Sequence, residues 1–132
     1  MSRENVELFH RGTAAINRGD VEYAVRHSTE DVVLIAARTA VEGPFVGHEG
    51  LRRFFADNAR SFDVFEARYD DVRDLGDDRV LAIGTIHIRS RGAGVETDVP
   101  VAGIATYREG KQSRWEDFRE RRLALKAAAL AD

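Results

Sequence analysis

The chain has 132 residues, a formal net charge of −3, 33% charged residues and no cysteine. This length suits one domain with a sizeable core, and the interspersed charges without a basic stripe or an acidic tail argue against a nucleic-acid partner. The absence of cysteine excludes disulfides, thiolate metal sites and a thiol nucleophile.

The amino-terminal segment, "MSRENVELFH", lacks the unbroken apolar core of a signal peptide, and no later run is long and apolar enough to cross a bilayer. We therefore expect a cytoplasmic protein without a membrane partner. No repeat or linker interrupts the chain, so residues 1–132 are predicted to form a single domain.

The amino-terminal part predicts three helices. Apolar or small side chains recur at three- and four-residue steps from Glu4 to Arg18, which indicates an amphipathic helix. Gly19 is typical of a helix stop, and Asp20 of the N-cap of a short second helix. Residues 31–37 predict a strand and residues 43–50 a turn. The third helix follows, with one face formed by Leu51, Phe54, Phe55 and Asn58.

From Phe62 onward the pattern changes to strands separated by short turns. Four strands are predicted, and a helix follows them at residues 120–130; the strands are residues 64–75, 79–89, 97–107 and 111–118. Helices followed by an antiparallel meander indicate an α+β fold. A strongly curved sheet of this kind, wrapped around the amino-terminal helices, can enclose a conical cavity.

The last predicted strand carries the only tryptophan, Trp115, and an acid two residues later, Asp117. Successive side chains of a strand point to opposite faces, so these two share one face. An indole usually faces the interior, and Asp117 would then face the cavity as a general base. The alternative is a carboxylate paired with Arg114, Arg119 or Arg89.

The strand at residues 79–89 has two different faces. One carries Thr85, His87 and Arg89 at its polar end, which fits a cavity that becomes polar toward its mouth or a face that runs out into solvent. His87 is the predicted proton carrier, because its ordinary pKa of ~6.5 allows both protonation states near neutrality. A histidine satisfied by a backbone carbonyl is the structural alternative.

Several aromatic side chains could line the cavity or simply form core. Asn58 could hydrogen-bond a ligand or lie at the solvated end of its helix. The four histidines have no metal-ligand spacing, so no metal is expected. The predicted substrate-binding residues are Trp115, Tyr23, Phe54, Phe55, Asn58, Thr85 and Arg89, and Phe62 is a further candidate for the lining.

Four segments, taken in their order and spacing, cover nearly the whole chain: "AAINRGDVEYAV", "DVVL", "FVGHEGLRRFF" and "YREGKQSRWEDF". Together they resemble the SnoaL-like branch of the nuclear transport factor 2-like (ketosteroid isomerase-like) superfamily. The resemblance implies a cone-shaped α+β barrel with a mostly antiparallel sheet, a short carboxy-terminal helix and a homodimer. An outer sheet face formed by Val80, Ala82, Ile86 and Ile88 would need such a partner or a helix.

The resemblance does not extend to steroid isomerase chemistry. Ketosteroid isomerases use a carboxylate base and an oxyanion hole made by a tyrosine and a protonated aspartic acid. Their expected places in this chain are Ala36 for the base, Gly12 for the tyrosine and a position near Ala102 for the acid. None of these residues can supply the required group, so this activity is not expected.

The limonene epoxide hydrolases are similar at one site, since they carry a tryptophan and a catalytic aspartate two residues later, as at Trp115 and Asp117. Polyketide cyclases similarly use an aspartate near this strand. The Arg-x-Asp pair that assists the hydrolases is absent, and the nearest candidates are Thr85, His87 and Arg89.

The sequence therefore predicts a pocket for a compact apolar organic molecule, without a cofactor. If the protein is an enzyme, the expected chemistry is hydrolysis, hydration, dehydration or aldol-type cyclisation, with Asp117 as base and His87 as acid or orienting partner. The alternatives are a ligand-binding module without catalysis and a structural domain within a dimer.

Overall fold

The computed structural model describes residues 2–36 and 43–130. The helices are α1 (Ser2–Asn17), α2 (Val21–Arg26), α3 (Gly47–Ser61) and α4 (Arg121–Leu130). The strands are β1 (Ser28–Ile35), β2 (Phe45–Val46), β3 (Phe62–Asp74), β4 (Arg79–Ser90), β5 (Glu96–Arg108) and β6 (Lys111–Phe118). The predicted end of the first strand, Ala37, lies outside the described residues.

The connection between α1 and α2 has Gly19 at the end of the first helix and Asp20 at the N-cap of the second, as the sequence predicts. Gly19 has a φ of +70°, a left-handed conformation that glycine adopts without steric cost. Asp20 then accepts a 3.1 Å hydrogen bond from the backbone N–H of Tyr23 and so caps α2. This cap fixes the direction in which α2 carries Tyr23 and the following His27 toward the sheet.

The segment 43–50 is only partly a turn, contrary to the sequence prediction. Phe45 and Val46 form β2, which pairs antiparallel with β1 through Leu34 and Val33. Phe45 is 2% exposed, so burial of its ring draws this segment onto the sheet edge. Helix α3 then begins at Gly47.

The six strands form one sheet in the order β2-β1-β6-β5-β4-β3. Strands β1 and β6 pair in parallel, and all other neighbours pair antiparallel. The predicted mostly antiparallel sheet is therefore confirmed. Helix α1 contacts β3 and β4, while α3 contacts β1, β2 and β3, so both helices lie against one face of the sheet.

The two faces of the sheet belong to two separate apolar clusters. On the inner face, Val80 and Ala82 are buried in one cluster with Phe9 of α1 and Trp115 of β6. The intervening residues of β4 point to the outer face and form a second cluster with residues of β5 and α4. This second cluster contains Leu81, Ile83, Ala102, Ile104, Ala124 and Ala128. This arrangement confirms the predicted α+β fold with a short carboxy-terminal helix.

A bulge in β3 bends the sheet around α1. The register between β3 and β4 shifts between Tyr69 and Asp71, opposite Gly84. A Cβ atom on Gly84 would overlap the backbone of Arg68 and Tyr69, so only glycine allows this close approach of the two strands.

Among the residues that the structure describes, no helix is long and apolar enough to cross a membrane.

Candidate functional site

A cavity of about 280 Å³ lies between the inner face of the sheet and the helices α1, α2 and α3. Its wall is mostly apolar and aromatic. Of the aspartate, glutamate, lysine and arginine side chains in the described part of the chain, only Asp117 contributes to it. A concave, mostly apolar surface with a few polar groups is the common form of a small-molecule site.

Trp115 and Asp117 both face this cavity from β6. The indole Nε1 donates a hydrogen bond of 2.7 Å to Oδ1 of Asp117. The alternative arginine partners are engaged elsewhere in two cases: Arg114 pairs with Glu116 at 3.0 Å, and Arg89 lies near Glu96 on the outer face. The carboxylate is thus oriented by the same aromatic ring that forms the cavity floor.

Two aromatic rings and a glycine hold the indole in place. Phe9 stacks on it with ring centroids 5.6 Å apart, and Tyr69 meets it edge-on at 5.9 Å. On its other side the indole lies over Gly103 of β5. A Cβ atom at this position would lie 2.6 Å from Trp115 Cη2, so glycine is required for the ring to rest against the sheet.

Tyr69 is a candidate that sequence reasoning missed. It faces the cavity from β3, near enough to Asp117 for the carboxylate charge to act on it, yet no hydrogen bond joins these two described side chains. Burial, and then the negative charge of Asp117, raise the pKa of the Tyr69 hydroxyl. The hydroxyl therefore remains a proton donor. The sequence does contain a signal for this residue: alternate side chains of β3 face the cavity, and the series Phe65, Ala67 leads to Tyr69.

A second polar region lines the cavity beside the β5–β6 turn. Its residues are Tyr23 and His27 of the α2 region, Tyr107 of β5 and Gln112 of β6. The rings of Tyr23 and His27 stack with centroids 3.9 Å apart. Burial, and then the nearby Tyr23, raise the pKa of the Tyr107 hydroxyl, so this group also remains protonated.

The predicted aromatic residues and Asn58 also reach the cavity. Phe54 and Phe55 pack edge-on against each other at 5.9 Å, and Phe54 meets Phe45 in the same way at 5.6 Å. Phe54 and Phe55 therefore pack against other aromatic side chains and also line the cavity. Five residues singled out from the sequence line the cavity in addition to Trp115 and Asp117: Tyr23, Phe54, Phe55, Asn58 and Phe62.

The placement of Thr85, His87 and Arg89 in the cavity is wrong. The side chains that face it from this part of β4 are Ile86 and Ile88. The His87 side chain is 39% exposed on the outer face, where its Nδ1 lies 2.6 Å from Oδ1 of Asp98. The hydrogen bond with Asp98 raises the pKa of His87, and the charges of Asp98, Glu96 and Glu66 add to this effect.

The second face of β4 was also assigned to the wrong side of the sheet. It was expected to be the outer face and to need a dimer partner or a helix to cover it. Val80, Ala82, Ile86 and Ile88 point inward, toward the core and the cavity. Both faces of β4 begin with apolar residues because α4 covers Leu81 and Ile83 from outside. Alternation identifies the two faces, but it does not state which of them is inner.

The positions expected for the ketosteroid isomerase groups carry small residues in this structure. Gly12 and Ala36 line the cavity without a functional side chain. Ala102 is buried on the outer side, and its inward neighbour is Gly103. No group of histidine, cysteine, aspartate and glutamate side chains suited to a metal ion occurs among residues 2–36 and 43–130.

Comparison with known proteins places this fold and cavity in a family. The model of the SnoaL-like domain matches residues 9–115. The chain belongs to the SnoaL-like domain family. No curated protein shows significant sequence similarity to it.

Solved structures share the fold at low identity. TerC, co-crystallised with polyporic acid, is 21% identical with a TM-score of 0.76, and the match covers 96% of this chain and 98% of TerC. A hypothetical protein from Catenulispora acidiphila with a ketosteroid isomerase-like fold, in complex with trimethylamine, is 15% identical with a TM-score of 0.75, over 93% of this chain and 92% of that chain. A Pseudomonas putida protein provisionally assigned as a polyketide cyclase is 19% identical with a TM-score of 0.71, over 89% and 92%.

Proposed function

We propose that this SnoaL-like protein binds a compact, largely apolar organic molecule and performs acid–base chemistry on it without a cofactor. Asp117 is the general base, and Tyr69 replaces His87 as its proton-donating partner. The observation that carries this proposal is the position of a carboxylate, held by Trp115, beside a protonated tyrosine in a mostly apolar cavity.

The arrangement suits removal of a proton next to a carbonyl group. A carboxylate oxygen of Asp117 takes the proton from the carbon, and the electron pair moves toward the carbonyl oxygen. The Tyr69 hydroxyl donates a hydrogen bond to the enolate oxygen that forms, and apolar surroundings strengthen this bond. Return of the proton from Asp117 to a different carbon of a conjugated enolate completes an isomerisation. In an aldol-type cyclisation, the enolate carbon instead forms a bond to a second carbonyl carbon, and Asp117 returns its proton to the oxygen of that carbonyl group.

The relatives support a small organic ligand. TerC is seen with polyporic acid, and the Catenulispora protein with trimethylamine. These molecules belong to those proteins, and their common feature is small size. The mostly apolar cavity of about 280 Å³ in this chain suits a ligand of about two or three linked rings.

Hydrogen–deuterium exchange of 2-tetralone tests the proposed chemistry. This bicyclic ketone has an activated C–H group, and NMR in D₂O follows its exchange. We expect the protein to accelerate the exchange. Asp117→Asn should lower the protein-dependent rate by about a hundredfold or more, and Tyr69→Phe by a similar factor. His87→Gln is the matched control and should retain the full rate.

Circular dichroism separates loss of activity from loss of fold in these variants. An unchanged exchange rate in folded Asp117→Asn contradicts the assigned base. Saturable binding of 2-tetralone without any accelerated exchange instead supports the second candidate, a ligand-binding module. The observation that favours this alternative is the lack of functional side chains at Gly12 and Ala36 inside the cavity.

Homodimerisation and a cytoplasmic location are further proposals. The outer face of β3, β4 and β5 beyond α4 carries both acids and arginines, such as Glu66, Arg68, Arg89 and Asp98, which could pair across a two-fold axis. Light scattering after size-exclusion chromatography tests the dimer, and a monomer at micromolar concentration contradicts it. The absence of cysteine suits a reducing compartment.

A further inference from the structure

The cavity has two polar ends on one strand. Asp117 lies near the carboxyl end of β6, and Gln112 near its beginning, next to Tyr107 on β5. Five residues of a strand span about 16 Å, and the irregular pairing at Gln112 shortens this slightly. The floor between the two ends is the aromatic cluster around Trp115.

The hydrogen bonds at the second end define what it can recognise. The Nδ1 atom of His27 lies 2.9 Å from the carbonyl oxygen of Tyr23, which can only accept, so Nδ1 carries the proton. In the neutral imidazole, Nε2 is then an acceptor. The Tyr107 hydroxyl is a donor, because burial keeps it protonated. An acceptor and a donor at one end of a cavity match a hydroxyl group, which both donates and accepts.

The charges of the side chains that line the cavity further restrict the chemical class of the ligand. Among the described residues, no lysine or arginine side chain lines the cavity at either end. A carboxylate or phosphate group would therefore lose its hydration without gaining a cationic partner from these residues. A neutral hydroxyl group carries no such cost.

We propose that the cavity binds an elongated ligand with two polar ends: a reactive ketone or phenol at Asp117 and Tyr69, and a neutral hydroxyl group at Tyr107 and His27. This inference rests on the proposed function for the reactive end. It adds the second contact and therefore a substrate class, hydroxylated aromatic or alicyclic molecules of about two or three rings.

Two stilbenes that differ by one hydroxyl group test this proposal by binding alone. 4,4′-Dihydroxystilbene can reach both ends, whereas 4-hydroxystilbene can satisfy only one. Titration calorimetry should show that the second hydroxyl group tightens binding to the wild-type protein about fivefold to tenfold. In Tyr107→Phe this advantage should fall to about twofold or less, while the affinity for 4-hydroxystilbene changes little.

His87→Gln is the control, since His87 lies on the outer face, and it should retain the full advantage. Tyr107→Phe that keeps the advantage overturns the proposal. Absence of saturable binding of both stilbenes below the millimolar range also overturns it. Failure of the reactive end is distinguishable, because it appears as an unchanged exchange rate in Asp117→Asn and leaves the effect of Tyr107→Phe on the stilbenes intact.

Discussion

The indole Nε1 of Trp115 donates a 2.7 Å hydrogen bond to Oδ1 of Asp117, two residues further along the same face of β6. The spacing itself produces this contact, because side chains at i and i+2 of a strand stand side by side. The indole then serves two purposes, since its ring forms the cavity floor and its N–H orients the carboxylate. This coupling leads to the first prediction.

Trp115→Phe should lower both stability and exchange activity. The phenyl ring preserves part of the stacking on Phe9, but Asp117 loses a charge-assisted hydrogen bond worth about 1.5–3 kcal/mol. We expect a loss of this size in chemical denaturation followed by circular dichroism, and an exchange rate for 2-tetralone lowered by about tenfold.

The double variant Trp115→Phe/Asp117→Asn is the control for this coupling. If the indole acts through the carboxylate, the two effects on exchange are not additive, and the double variant is no slower than Asp117→Asn alone. If the exchange rate of the double variant is lowered by the product of the two single-variant factors, the orienting role of Trp115 is contradicted.

Tyr69 and Tyr107 should make the protein sensitive to alkaline pH. Burial raises the pKa of both hydroxyl groups in the folded state, so near pH 10 and above the unfolded chain loses these protons first. The unfolded state then binds fewer protons than the folded state, and the free energy of unfolding falls as the pH rises through about 10. Denaturation at pH values from about 8 to 11 measures this slope.

Tyr69→Phe and Tyr107→Phe should each flatten the alkaline slope, because a phenyl ring has no proton to lose. Phenolate absorbance gives the independent measurement: in the folded protein, these two tyrosines should ionise only above the ordinary range. Two variants with the wild-type slope contradict the burial of both hydroxyl groups.

The sequence predicted the fold and the β6 part of the site because each rests on a local pattern. Strand alternation joined Trp115 to Asp117, and helical spacing brought Phe54 and Asn58 to one face. The local pattern could not show which face of β4 is the inner one, because Leu81 and Ile83 on one face are as apolar as Val80 and Ala82 on the other. That decision depends on where α4 packs, which is a tertiary contact. His87 was therefore assigned to the wrong face.

Tyr69 and Tyr107 were missed for a different reason. Alternation through Phe65 and Ala67 gives Tyr69 an inward side, but it does not show that this ring meets Trp115 of β6, because β3 and β6 are not neighbours in the sheet. The register between β5 and β6 shifts at Tyr107, and the alternation of residue types does not reveal this shift. The contacts of each tyrosine with other strands become evident only once the sheet has curved.

Gly103→Ala should destabilise the protein by about 1–3 kcal/mol, because the new methyl group would push the indole of Trp115 away from β5. The displaced indole carries Asp117 with it, so stilbene affinity should fall as well. Gly12→Ala is the matched control on α1, since nothing lies within 4 Å of its added methyl group. It should stabilise the helix by about 1 kcal/mol or less. Equal effects of both substitutions in urea denaturation contradict the close indole contact.

His87 should titrate above its ordinary pKa of ~6.5 without influence on the cavity. The hydrogen bond with Asp98 raises the pKa of His87, so its stabilising effect is full below about pH 6.5 and disappears as the pH rises through the raised value. Asp98→Asn should move the NMR midpoint of His87 down toward ~6.5 and remove this part of the pH dependence of stability. Salt should weaken the shift in the wild-type protein, because the pair is exposed. The rate of 2-tetralone exchange should be the same in Asp98→Asn and the wild-type protein, and a slower rate in this variant contradicts the assignment of His87 to the outer face.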